Sequence, residues 1–180
     1  MQQSADGRIR SYYEASAGPT QGHAAVDADR TVRTIVVGGG YAGLATARGM
    51  IDRGDSDVLV VEAEHVGFGA SGRNGGFVFG GYSLGEASLL QQLGPTAAKR
   101  VYARSIAAVD LIRRRLHDHA IDCDAVDEGV LWTNWFRDER VLRDRADLLR
   151  RHFDTDWEWI DGPRLRSEEH TSELQSLAYL

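Results

Sequence analysis

The chain has 180 residues, of which 42% are hydrophobic and 27% charged, and its formal charge is −6. That length suits one domain, the apolar content excludes a disordered chain, and the acidic balance argues against a general grip on nucleic-acid phosphates. A single cysteine, Cys123, leaves no internal disulfide and favours a reducing, cytoplasmic setting; no apolar run is long enough to span a bilayer, and no secretory h-region opens the chain.

Residues 1–30 read as a polar extension lying over the domain, with one small apolar island, SYYEASA (Ser11–Ala17). RTIVVGGG then sets a short apolar run, Ile35–Val37, against glycine, as a buried strand does. YAGLATARGMIDRG follows with Leu44, Ala47 and Ile51 at helical spacing, and Gly54 stands where a helix ends. DVLVVEAE is a second strand. Its four successive apolar residues suit a parallel sheet covered on both faces. Strand, helix and strand make one βαβ unit, whose crossover is expected to be right-handed.

Further on, SLGEASLLQQLG predicts a short helix that stops before Pro95. A longer helix starts there, with Pro95 in its first position and a stripe of Val101, Ser105, Ala108, Ile112 and Leu116. EGVLWTNW (Glu128–Trp135) and DWEWID read as strands, and RDERVLRDRADLLRRHF between them as an amphipathic helix. Trp132, Trp135, Trp157 and Trp159 are spaced as core residues of those strands. His117 and His119 lie two apart on a helix and face different ways, so together with Cys123 they predict solvated side chains and no metal site. His65 reads as a loop histidine.

Gly38, Gly40 and Gly43 spell G-x-G-x-x-G at the join of strand and helix. The first glycine permits the turn, the second lets a pyrophosphate meet the backbone, and the third lets helix and strand close up. The helix start then offers free N–H groups and about half a positive charge. Glu62 closes the next strand nineteen residues after Gly43, where an acid bonds a ribose diol. Such an acid disfavours a 2′-phosphate but does not separate NAD from FAD. The stretch GFGASGRNGGFVFGG, Gly67–Gly81, does. Its seven glycines surround Arg73 and Asn74, and its phenylalanines are foreign to a flexible linker. A simple nicotinamide domain would run on to a second helix, whereas exposed main chain here suits a longer cofactor. An NAD-dependent dehydrogenase is the alternative reading.

VVGGGYAGLATA followed by VVEAEHVGFGASGRNGG resembles the glycine oxidase and D-amino-acid oxidase-like (DAO) FAD-dependent oxidoreductases, closest to the γ-glutamylputrescine oxidase branch. SYYEASA and EGVLWTNW resemble that branch's upstream segment and early substrate-domain strand. The resemblance implies FAD as cofactor, with Gly38, Gly40, Tyr41, Ala42 and Gly43 at the pyrophosphate and Glu62 on the adenosine ribose. It places Ala70, Ser71, Gly72, Arg73, Asn74, Gly75 and Gly76 near the phosphates and flavin. Where relatives carry a basic residue after the ribose acid this chain has Ala63, and Phe77 stands where some are polar. The fold class implied is α/β, a Rossmann-like FAD-binding βαβ unit with the start of a second, α+β substrate domain. The expected organisation is an extension (1–30), the N-terminal part of the FAD domain (31–122) and the start of the substrate domain (123–165). The implied reaction is hydride transfer from a small-molecule amine or amino acid to flavin, with electrons passed on to oxygen or another acceptor. No catalytic side chain is identified.

The last stretch, RSEEHTSELQS (Arg166–Ser176), is what a short-read sequencing adapter encodes when translated. Residues 166–180 are therefore expected to be non-native, and the chain to be the truncated front of a longer enzyme, by itself a non-catalytic FAD-binding fragment.

Overall fold

The computed structural model describes residues 11–16, 22–134, 138–162 and 164, so the adapter-like tail and Trp135 lie outside the described residues. The chain divides into two compact units, the first ending at Phe77 and the second beginning at Val78.

In the first unit a short helix, α1 (Tyr12–Ser16), precedes the expected βαβ unit: β1 (Thr34–Val37), α2 (Tyr41–Ile51) and β2 (Val58–Val61). β1 and β2 pair in parallel, Thr34 opposite Val58 through Val37 opposite Val61. Thr34 N–H donates to Asp57 O at 3.2 Å before the ladder, and Gly38 N–H to Val61 O at 2.7 Å after it. α2 ends as the sequence predicts, with Gly54 taking φ 92° just beyond it. The burial is thinner than predicted. Of the stripe Leu44, Ala47 and Ile51 only Ala47 is buried. Along β1 exposure alternates: Thr34 and Val36 are partly covered, whereas Ile35 and Val37 are 54% and 83% exposed. α2 covers one face of a two-stranded sheet, and one helix cannot cover both.

The second unit is helical. α3 (Glu86–Asp118) is two helices joined at Gly94, whose φ of 70° and ψ of 165° break the run immediately before Pro95, as expected. Its buried line differs from the predicted stripe, running through Leu89, Ala98, Tyr102 and Val109, while Ala108 and Ile112 are exposed. The cause is Tyr102. Its ring packs 4.7 Å from that of Phe153 in α4 (Arg140–Phe153), so the helix face that carries Tyr102 is the one that turns inward. Leu89, Ala98, Tyr102, Leu149 and Phe153 form the core of this unit.

Neither Glu128–Asn134 nor DWEWID joins a sheet among the described residues, contrary to the strand prediction. A strand needs a partner, and here the two segments are held by aromatic contact. Trp132 stacks on Trp157 at 5.8 Å, and the Arg145 guanidinium lies 4.3 Å above Trp132. Arg145 is also paired with Glu86 at 3.0 Å. Trp132 and Trp159 stay 42% and 39% exposed, so the tryptophans are less completely buried than core residues would be. His117, His119 and Cys123 are exposed, and no group of three metal-ligating side chains gathers among the described residues.

Candidate functional site

The β1–α2 turn is closed by sterics. Gly38 has φ 103°, and a Cβ placed on Gly43 would stand 1.9 Å from the Gly38 carbonyl oxygen. Only glycine lets the helix approach the strand end this closely. Gly40 caps α2 without a side-chain hydrogen bond, and the helical ladder opens with Leu44 N–H donating to Gly40 O at 3.0 Å. The amides of Ala42 and Gly43 therefore precede any intrahelical acceptor. Glu62 follows β2 and turns back onto the same turn. One carboxylate oxygen accepts the Gly39 N–H at 2.6 Å and the other accepts the Glu64 N–H at 3.2 Å. The Gly39 bond first, then the Glu64 bond, hold this carboxyl below the ordinary glutamate value.

A second glycine turn is built on the first. Gly67 N–H donates to Gly39 O at 3.0 Å. Gly67 itself has φ 78°, and a Cβ on Gly72 would lie 2.2 Å from the Gly67 carbonyl oxygen. The turn passes through one 3₁₀ turn, Ala70–Gly72. From it the Ser71 hydroxyl accepts the Tyr41 N–H at 3.0 Å, fixing the first residue of α2. Asn74 locks the turn from inside. Its amide nitrogen donates to Ser71 O (2.8 Å), Tyr41 Oη (3.1 Å) and Ala70 O (3.3 Å), and its oxygen accepts the Gly76 N–H (2.9 Å). Arg73 lies with its guanidinium carbon 4.8 Å from the Phe68 ring centre, and His65 meets the same ring edge-on.

The thirteen residues singled out from sequence thus gather around one pair of turns: Gly38, Gly40, Tyr41, Ala42, Gly43 and Glu62 on the first, Ala70 to Gly76 on the second. The glycine-rich run itself does not stay together. Gly80 and Gly81 belong to the second unit, where a Cβ on Gly80 would come within 2.2 Å of Ile106 Cδ1 and Gly81 N–H donates to the Ser105 hydroxyl at 2.7 Å. Those two glycines serve helix packing. Sequence reasoning missed Gly67 as the anchor of the second turn and did not foresee that Asn74 is engaged within it. The spacing of Asn74 and Gly76, an amide side chain two residues before a backbone N–H, is the signal that could have found the lock.

The donor set fits a dinucleotide. The α2 start supplies main-chain N–H groups and the positive end of a helix, next to backbone that glycine keeps bare. Beside the bonds from the Gly39 and Glu64 amides, the two Glu62 oxygens keep lone-pair sites for a ribose diol. Residues 33–179 match the FAD dependent oxidoreductase family, DAO. The chain belongs to that family, whose members depend on FAD and share a Rossmann-like FAD-binding fold.

Among curated relatives, it is 32% identical over 158 residues to the γ-glutamylputrescine oxidoreductase of Escherichia coli K12, covering 88% of this chain and 37% of that protein. It is 32% identical over 116 residues to the probable oxidoreductase OrdL of Haemophilus influenzae, covering 64% of this chain and 27% of the relative. The chain therefore spans little more than a third of the relatives' length at most. No solved structure matches it. No helix among the described residues is long and apolar enough to cross a membrane.

Proposed function

We propose that this chain is the N-terminal part of an FAD-dependent oxidoreductase that oxidises amines or amino acids, with the substrate domain beginning after residue 122. The observation that carries this reading is the union of the two glycine turns through Gly67 N–H to Gly39 O and Tyr41 N–H to Ser71 Oγ. A nicotinamide site needs only the first turn. A second bare turn fastened beside it suits a cofactor that continues past its pyrophosphate. The name of the Escherichia coli relative supports a small amine as substrate.

The residues divide the work. The amides of Ala42 and Gly43 and the dipole of α2 receive the diphosphate, and Glu62 accepts from the adenosine ribose. Ser71 holds the α2 start, while Asn74 keeps Ala70–Gly76 in the shape that lines the cofactor. Arg73 adds positive charge beside the phosphates. When bound, the flavin would supply acceptance of a hydride from the α-carbon of a neutral amine, which leaves an iminium ion that water hydrolyses to a carbonyl compound and ammonium. The groups that orient the amine belong to the remainder of the enzyme, so this chain alone binds cofactor without turnover.

Titration of the full-length protein with FAD and with NAD tests the reading. The expected result is a yellow complex with FAD and no saturable binding of NAD. Preference for NAD, or a folded protein that stays colourless with FAD, would refute it.

A further inference from the structure

The helix α1 raises a problem of its own. It has five residues and none is buried, and an isolated helix so short does not persist in water. Its position therefore depends on a few specific contacts, and these converge on the second glycine turn. Ser11 heads α1 in the pattern Ser-x-x-Glu. Its hydroxyl oxygen accepts the Glu14 N–H at 3.1 Å, as a helix cap does, and its hydroxyl proton points to the Gly72 carbonyl at 3.4 Å. One side chain thus starts the helix and holds the turn sixty-one residues away. Two residues on, the Tyr13 hydroxyl oxygen lies 4.0 Å from where a Cβ on Gly76 would be, at a backbone position with φ 72°. Tyr12 and Tyr13 meet edge-on at 5.4 Å and remain 78% and 44% exposed. Two tyrosine rings this exposed, on a helix whose leading Ser11 is bonded to the turn and whose Tyr13 hydroxyl lies beside Gly76, are poorly explained by packing alone.

We propose that α1 is a positioning strap for the cofactor turn: Ser11 at Gly72 and Tyr13 at Gly76 fix the main chain of Ala70–Gly76 and so set how tightly FAD is held. The inference rests on the FAD reading above and adds residues far upstream of the dinucleotide fingerprint. Ser11 and Tyr13 act through Gly72 and Gly76, and neither takes part in redox chemistry. Conversely, the turn gives α1 the partner that its length denies it.

The test uses the full-length protein and four variants: Ser11→Ala, Ser11→Thr, Tyr13→Ala and Tyr13→Phe. Three quantities are read for each: the dissociation constant for FAD by fluorescence quenching, the visible absorption band of the bound flavin, and the thermal midpoint without FAD. Ser11→Ala is expected to raise the FAD dissociation constant about three- to tenfold, the range of one hydrogen bond, and Tyr13→Ala, which removes the ring beside Gly76, about two- to threefold. The same two variants should shift or broaden the flavin band. Ser11→Thr, which keeps hydroxyl and cap, should restore both. Tyr13→Phe tells whether ring or hydroxyl matters, and a return of wild-type affinity assigns the effect to the ring. Variants whose thermal midpoint falls while dissociation constant and band equal the wild type's overturn the proposal, since α1 would then merely stabilise the fold. Equal values in all three readouts overturn it as well. A wild-type protein that takes up no FAD removes the functional reading first, so the two failures are distinguishable.

Discussion

The turns at Gly38–Gly43 and Gly67–Gly72 repeat one steric device and put it to different uses. In each, the leading glycine has positive φ and a glycine five residues later faces its carbonyl oxygen, with room for no Cβ. Past that shared geometry the two diverge. The first turn runs into the eleven-residue helix α2, whose aligned peptides make its start a charged site. The second runs into a single 3₁₀ turn of three residues, too short to concentrate such a field. Its capacity lies in side chains instead: Ser71 on the Tyr41 amide and Asn74 on four partners. The helix that continues the first turn adds a field that the second turn lacks. Without such a helix, the second turn is a frame that needs polar side chains to keep its shape.

The common glycine clash is where the two turns can be told apart most forcefully. Gly43→Ala drives a methyl into the Gly38 carbonyl, 1.9 Å away, and should cost about 3 kcal/mol or more in urea unfolding, with FAD binding lost. Gly72→Ala meets the Gly67 carbonyl at 2.2 Å, but a short turn yields more readily than a helix packed on a strand. It should cost about 1–2 kcal/mol and still weaken FAD binding more than tenfold. Equal losses in the two variants would mean that the turns are mechanically alike.

A second pair separates charge from framework. Glu62→Gln should weaken FAD binding through the ribose, whereas Asn74→Ala should destabilise the second turn by about 1–2 kcal/mol through its lost bonds, read by faster amide exchange at Gly76. Glu62 also predicts a pH signature. Its pKa is depressed in the folded chain, so its contribution is present above the unfolded value and is lost as pH falls through the folded one. The gap in thermal midpoint between wild type and Glu62→Gln should therefore shrink as pH drops from neutrality through about pH 4. Smallest is Ser71→Ala, about 0.5–1 kcal/mol, because water can reach the exposed Tyr41 amide that the hydroxyl leaves.

The βαβ unit and its turn were legible because their signals are local. Glycine spacing, an apolar run and an acid at the strand end fix a structure within about thirty residues. The break at Gly94–Pro95 was legible for the same reason. Contacts between distant positions were not. Tyr102 reads as an interruption among arginines until Phe153 is placed beside it, and Gly80 reads as cofactor loop until Ile106 occupies the space its side chain would need. The segments around Trp132 and Trp157 have strand composition, yet strand pairing depends on a neighbour that composition does not supply.

The outward row of β1 has a consequence for handling the molecule. Ile35 and Val37 stand open on a sheet whose two strands each keep a free hydrogen-bonding edge among the described residues. Such a surface is adhesive. A preparation of these 180 residues should cling to chaperones, to detergent micelles or to its own kind as concentration rises, and the degree of clumping would report how much of that row has found a cover.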